Sequence, residues 1–184
     1  MTAMPPRPRP TERAVVDAAV RALERDGYRT WPNPDGTDYF DLVARRGEEV
    51  GLVEAKVGDA RTVLKQALAR RVWGDWTAVV IAGRLAAERL EARTRSTRAA
   101  PIGVWTLRDG EVEVLRAARP WVAPGADDPY ADLRARFRGI LEAVDRGAIP
   151  AGLSWDGVPG TVRRLSHGRR FREWRLDEPP TDPP

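Results

Sequence analysis

Residues 77–82 read TAVVIA, an apolar run with no polar break. A strand with one face in water alternates apolar and polar residues. One without alternation is covered on both faces and belongs in the middle of a parallel or mixed sheet flanked by helices. The run therefore demands helices before and after it, and the sequence supplies them. Over residues 11–26, Val16, Ala19 and Leu23 recur at helical spacing, Thr11 can cap the first turn and Gly27 provides a stop. Residues 60–72 repeat the pattern with Val63, Leu64, Ala67 and Leu68. Residues 28–31 form a short β-prone run ended by Pro32, Pro34 and Gly36, and residues 39–45 and 50–57 flank a turn at Arg46, Gly47, Glu48 and Glu49. Residues 84–98 are charged and helical, and residues 101–107 and 111–115 flank Arg108, Asp109 and Gly110 as a second hairpin. The order helix, strand, strand, strand, helix, strand predicts an α/β core with a mixed sheet.

That core occupies residues 11–117 of a 184-residue chain. Residues 118–176 read as a small C-terminal appendage: a linker at 120–129, an amphipathic helix at 130–146 carrying Leu133, Phe137, Ile140, Leu141 and Val144, and a basic segment at 161–175. The proline-rich stretches 1–10 and 177–184 cannot bury a core and read as tails.

Composition removes several chemistries. With no cysteine and a single histidine, His167, a disulfide scaffold, a thiol nucleophile, a zinc cluster and a multi-histidine metal site are all excluded. No apolar run approaches the ~20 residues needed to cross a bilayer, and residues 1–10 hold no hydrophobic signal core, so no membrane partner and a cytoplasmic location are expected. The charge, 31 basic residues against 27 acidic ones, describes a mixed surface with basic regions. Only two of the basic residues are lysines, Lys56 and Lys65. In a chain whose richness in Arg, Ala, Gly and Pro favours arginine over lysine, Lys56 invites a chemical explanation.

The first hairpin supplies one. Gly47 suits the first central position of a two-residue type II′ turn, which makes Arg46 face Glu49 and places Asp41 opposite Glu54. Side chains alternate along a strand, so Lys56 shares the face of Glu54. Like charges facing each other in a sheet are destabilising, and these lie among Leu42, Val43, Leu52 and Val53. A divalent cation offsets that repulsion: Mg²⁺ takes a few carboxylate oxygens and waters, and a nearby lysine can hold a water or help deprotonate it. The arrangement suits hydrolysis of a phosphate ester. Alternatively, the three residues line a solvated hairpin face on which Lys56 merely neutralises the acids. Glu12 begins the stripe Glu12, Val16, Ala19, Leu23 and can reach the same place, although an acid in a first helical turn is also favoured by the helix dipole. Gln66, on the flank of the next helix, can offer its amide to a phosphate or an attacking water, or can be a plain surface residue.

These elements resemble the PD-(D/E)XK phosphodiesterase superfamily, the restriction-endonuclease-like fold of Holliday junction resolvases and repair nucleases. The likeness covers residues 11–83 and rests on the helix with Glu12, the Gly27-Tyr28 exit, Asp41-Leu42-Val43-Ala44, Val53-Glu54-Ala55-Lys56, the helix bearing Gln66, and TAVVIA. Phe40 stands where the family motif has proline, and Asp38 is a second candidate for the acid. The resemblance implies an αβββαβ core and a Mg²⁺-dependent endonuclease acting on DNA, with Mn²⁺ as a substitute ion. It implies that Asp41, Glu54 and the Ala55 carbonyl bind the metal, that Lys56 positions the water, and that Glu12 and Gln66 assist. By analogy with nucleases that cut both strands, a homodimer is a further expectation.

A nucleic acid also fits the basic segment at 161–175, where Arg163, Arg164, Arg169, Arg170, Arg172 and Arg175 stand against one acid, with Phe171 and Trp174 between them. The stretch 84–98 offers five arginines against two glutamates as a second wall. Both segments also suit a solvated surface. A catalytically inactive module that binds nucleic acid or a protein partner on the same fold is the alternative function. A small-molecule α/β domain is disfavoured, since no Gly-rich phosphate loop follows a strand.

Overall fold

The computed structural model describes residues 10–32, 40–122 and 126–146. Thr11 caps α1 (Glu12–Arg25), its Oγ1 accepting the Ala14 amide at 3.2 Å. At the other end Gly27 takes φ +81°, its amide donates to the Glu24 carbonyl, and the Tyr28 amide donates to the Leu23 carbonyl, the paired bonds of a left-handed glycine stop. The chain then enters β1 (Arg29–Pro32), β2 (Leu42–Arg46) and β3 (Glu49–Lys56). The β2–β3 hairpin has the predicted register, Leu42 opposite Val53 and Arg46 opposite Glu49. Of its two turn residues only Gly47 has positive φ, +60°, as a type II′ turn requires.

Asp59 caps α2 (Ala60–Arg70) by accepting the Thr62 amide at 2.9 Å, and the helix tightens into one 3₁₀ turn at Arg71–Trp73. There follow β4 (Trp76–Ile81), α3 (Arg84–Thr94), β5 (Gly103–Arg108), β6 (Glu111–Arg116) and α4 (Ala131–Asp145). The second hairpin turns through Asp109 and Gly110, both at positive φ.

The six strands form one mixed sheet in chain order, β1-β2-β3-β4-β5-β6. Strands β1 to β3 pair antiparallel, β3 to β5 parallel, and β5 with β6 antiparallel. Both parallel crossovers advance in the same direction, so the right-handed rule puts α2 and α3 on one face of the sheet. Helix α1 covers the other. Every residue of β4 is buried: Ala78 and Val80 pack with Val15, Val16 and Ala19 of α1, and Val79 and Ile81 with Val63, Ala67, Ala87 and Leu90. The unbroken apolar run is thus explained. Gly51 of β3 leaves room for the Trp76 indole, whose nearest ring atom lies 2.0 Å from where a Cβ would stand.

The helix that the sequence assigns to an appendage belongs to this body. Helix α4 packs beside the 3₁₀ turn, and its Phe137 and Leu141 are fully buried with Phe40, Val43, Val50, Leu52 and Trp73. The physical reason is width: α2 and α3 cover β4, β5 and the Glu54 end of β3, and the same face of β2 and of Val50 and Leu52 in β3 needs another apolar lid. The basic segment at 161–175, the tail at 177–184 and Asp38 lie outside the described residues. Among the described residues no helix is long and apolar enough to cross a membrane.

Candidate functional site

In the β2–β3 hairpin the pair Arg46 and Glu49 next to the turn exchanges main-chain bonds, and alternate pairs do so from there on. Continued one residue past the paired residues, that alternation brings Asp41, one residue before β2, level with Glu54 at a position without main-chain bonds, where facing side chains lie closest, and Asp41 contributes to raising the Glu54 carboxyl. The ladder itself ends at Leu42 and Val53, and past it the Asp41 carboxylate takes over: its Oδ2 accepts the Ala55 amide at 2.7 Å. Amide and carbonyl of one strand residue project to the same side, so the Ala55 carbonyl also faces Asp41. The Lys56 carbonyl faces the other way and accepts the Ala82 amide at 3.1 Å.

Burial decides between the two readings of this hairpin. Glu54 is 0% and Asp41 5% exposed, so neither lies on a solvated face. Burial pushes the Glu54 carboxyl up to about 8, against the opposing pull of the Arg70 guanidinium. It also raises Asp41 above its ordinary value, with the Ala55 amide and then the Lys56 ammonium opposing. Glu54 donates no hydrogen bond in the ionised form and needs donors at both oxygens. Arg70 of α2 serves Oε2, while Oε1 is buried with no partner among the described residues.

Lys56 closes β3 at the wetter end of the cluster. Its Nζ lies 2.5 Å from Glu12 Oε1 and 4.0 Å from Asp41 Oδ2. Glu12 is the first residue of α1, whose far end meets the hairpin turn through the Arg46 to Asp26 contact, so the helix runs antiparallel to β3 and delivers its N-terminus to Lys56. The Lys56 and Glu12 side chains are 20% and 35% exposed, which leaves this end open to water. The structure therefore gathers Asp41, Glu54, Lys56 and Glu12. Gln66 stands one turn before Arg70 on the same side of α2; its Oε1 is buried with no partner among the described residues, so it is no plain surface residue, and no hydrogen bond joins it to the acids. Of the predicted nucleic-acid contacts, Arg163, Arg164, Arg169, Arg170, Arg172 and Arg175 lie outside the described residues.

Arg70 is the member that sequence reasoning missed. A signal existed: Val63, Ala67 and Arg70 follow the helical stripe, and a long cation at a stripe position marks an inward-facing charge in need of an acid.

A divalent ion fits part of this donor set. Among the described residues no three acidic or histidine side chains form a metal-holding group, and Glu12 is engaged by Lys56. An ion would thus draw on Glu54, Asp41, the Ala55 carbonyl and waters, a hard-oxygen set that Mg²⁺ accepts. The buried, unpartnered Oε1 of Glu54 is the acceptor that such an ion would satisfy. Compared with protein-family models, curated proteins and solved structures, the chain gives no match.

Proposed function

We propose that the protein is a Mg²⁺-dependent nuclease that hydrolyses phosphodiester bonds in DNA, built on a restriction-endonuclease-like core of the PD-(D/E)XK type. The observation that carries this reading is the buried pair of facing carboxylates, Asp41 and Glu54, with an unpartnered oxygen on Glu54 and the Lys56 ammonium 4.0 Å from Asp41. The order α1-β1-β2-β3-α2-β4, with β1 to β4 adjacent in the sheet, supports the core assignment.

Bound Mg²⁺ would supply positive charge to the phosphate and make water easier to deprotonate. Asp41 and Glu54 would hold it from two adjacent strands. Lys56, at the wet end, is placed to orient the attacking water and stabilise the charge on it. Glu12 holds the Lys56 Nζ, which also lies 4.0 Å from Asp41. Gln66, on the neighbouring helix, has an amide oxygen with no partner among the described residues that could accept a hydrogen bond from the water.

A second reading has its own support. Arg70 already neutralises Glu54, as a structural ion pair in an inactive nucleic-acid-binding module would. The deciding experiment is cleavage of single-stranded, duplex and branched DNA and of RNA in Mg²⁺ and Mn²⁺, by the wild type and by Lys56→Ala and Glu54→Ala. Divalent-dependent cleavage by the wild type alone upholds the nuclease. Equal cleavage by all three proteins, or binding without cleavage of any substrate, removes it.

A further inference from the structure

Helices α2 and α3 leave between them, on the side away from the sheet, a groove of about 400 Å³. Arg61, Arg89, Arg93 and Arg98 line it and are all exposed, while Leu64 and Leu68 are half-buried and Leu90 is buried beneath them. No acidic residue lines the groove. The two glutamates of α3 are engaged elsewhere, Glu88 by Arg84 and Glu91 by Arg95 and Arg116. Among the described residues, therefore, none of the four groove arginines has an ion-pair partner.

Four guanidinium groups around an apolar floor, with no carboxylate of the described residues to offset them, repel one another until an anion joins them, and they fork readily onto phosphate oxygens. Arg89 and Arg93 lie one helical turn apart, about 6 Å along the axis, a step that lets them meet successive phosphates of one strand. Helices in contact are only about 8–10 Å apart, so the groove is too narrow to admit a duplex. A single strand can rest its phosphates on the rim and turn base faces to the leucines, the combination of basic track and apolar platform that sequence-tolerant strand binding uses. No aromatic residue lines the groove, so leucine and guanidinium surfaces take the place of ring stacking. Ala60, in the first turn of α2 and four residues after Lys56, is among the residues that line the groove.

We propose that the α2–α3 groove binds the single-stranded flank of a nucleic acid whose neighbouring phosphodiester lies at Glu54 and Lys56. The strand's path to the site rests on the nuclease reading; binding in the groove does not.

The test is binding of a fluorescent oligothymidine and of a duplex of equal length by the full chain in EDTA, where metal-dependent cleavage is absent. The variant Arg61→Ala/Arg89→Ala/Arg93→Ala/Arg98→Ala should bind the single strand about tenfold or more weakly, with a salt dependence shallower by about 0.7 in log K against log salt for each phosphate contact removed. Duplex binding should change by less than about threefold, because the groove does not take it. The fourfold Arg→Lys variant, which keeps the charges, should retain most of the salt dependence, and circular dichroism should show both variants folded. Unchanged single-strand affinity in the folded alanine variant overturns the assignment. So does an equal loss for the duplex, or a groove-dependent affinity for an acidic leucine-bearing peptide with none for the strand. A wild type that binds the strand through the groove yet cleaves nothing in Mg²⁺ or Mn²⁺ loses the nuclease reading and keeps the groove.

Discussion

Arg70 and Glu54 meet inside the fold as an ion pair in which the guanidinium takes one carboxylate oxygen and leaves the other with no partner among the described residues. Breaking such a pair from one side strands a charge where water cannot reach it. Arg70→Met should therefore destabilise the protein by about 3–5 kcal/mol at pH 9, where Glu54 is ionised, and by less at pH 5, where it can hold a proton. Glu54→Gln in the same background should recover part of the loss. Urea unfolding of the two single variants and the double variant at both pH values checks this. Purely additive effects, or equal losses at both pH values, would contradict the coupling.

The pH dependence of stability has a defined sign. The Glu54 carboxyl is raised from 4.5 to about 8 in the folded chain, so the fold holds this proton more tightly than the unfolded chain does. The resulting contribution is complete below 4.5 and is lost as pH rises through about 8. Asp41, also raised by burial, acts in the same direction. The wild type should thus lose stability relative to Glu54→Gln between pH 5 and pH 9, read as converging or crossing melting temperatures. Parallel profiles would show that Glu54 does not titrate in this window.

Asp41 accepts the Ala55 amide and is proposed to hold the metal, two roles that substitution can separate. Asp41→Ala removes the acceptor of the buried Ala55 amide and should cost about 1–3 kcal/mol. Asp41→Asn keeps an oxygen for that amide and should retain most of the stability, while still losing divalent-dependent cleavage. Denaturation midpoints and cleavage rates of the two variants provide the measurement. Full activity in the asparagine variant would count against a metal-binding role.

Lys56 and Glu12 should differ in degree. Lys56→Ala removes the group proposed to orient the attacking water and, on the nuclease reading, should slow cleavage by about 10²–10⁴-fold, the range of a positioned acid or base. Glu12→Gln keeps a hydrogen-bond acceptor for Lys56 and should slow it much less. Single-turnover rates at saturating Mg²⁺ distinguish the two. A Glu12→Gln loss as deep as that of Lys56→Ala would move Glu12 from a supporting role into the chemistry.

Much of this geometry is legible in the sequence for local reasons. Gly47 sets the turn, the turn sets the register, and the register puts Asp41 against Glu54. The TAVVIA run announces a covered central strand, and Thr11 and Gly27 mark the ends of α1. What stays hidden depends on contacts between elements. Nothing periodic connects Arg70 to an acid on another element, and the oxygens of Glu54 and Gln66 that find no partner among the described residues become buried only once α2 lies on the sheet. Likewise the amphipathic pattern of residues 130–146 identifies a helix with an apolar stripe but leaves open which surface that stripe covers.

That surface includes the residue next to the first acid. The Phe137 ring packs on that of Phe40, with centroids 5.5 Å apart, and Phe40 directly precedes Asp41. A helix distant in the sequence thus clamps the approach to this acid. A fragment trimmed after Arg116 would keep every strand of the sheet and both carboxylates, yet it would release the backbone that aims one of them. Any shortened form made for crystallisation or assay should therefore run through Arg146.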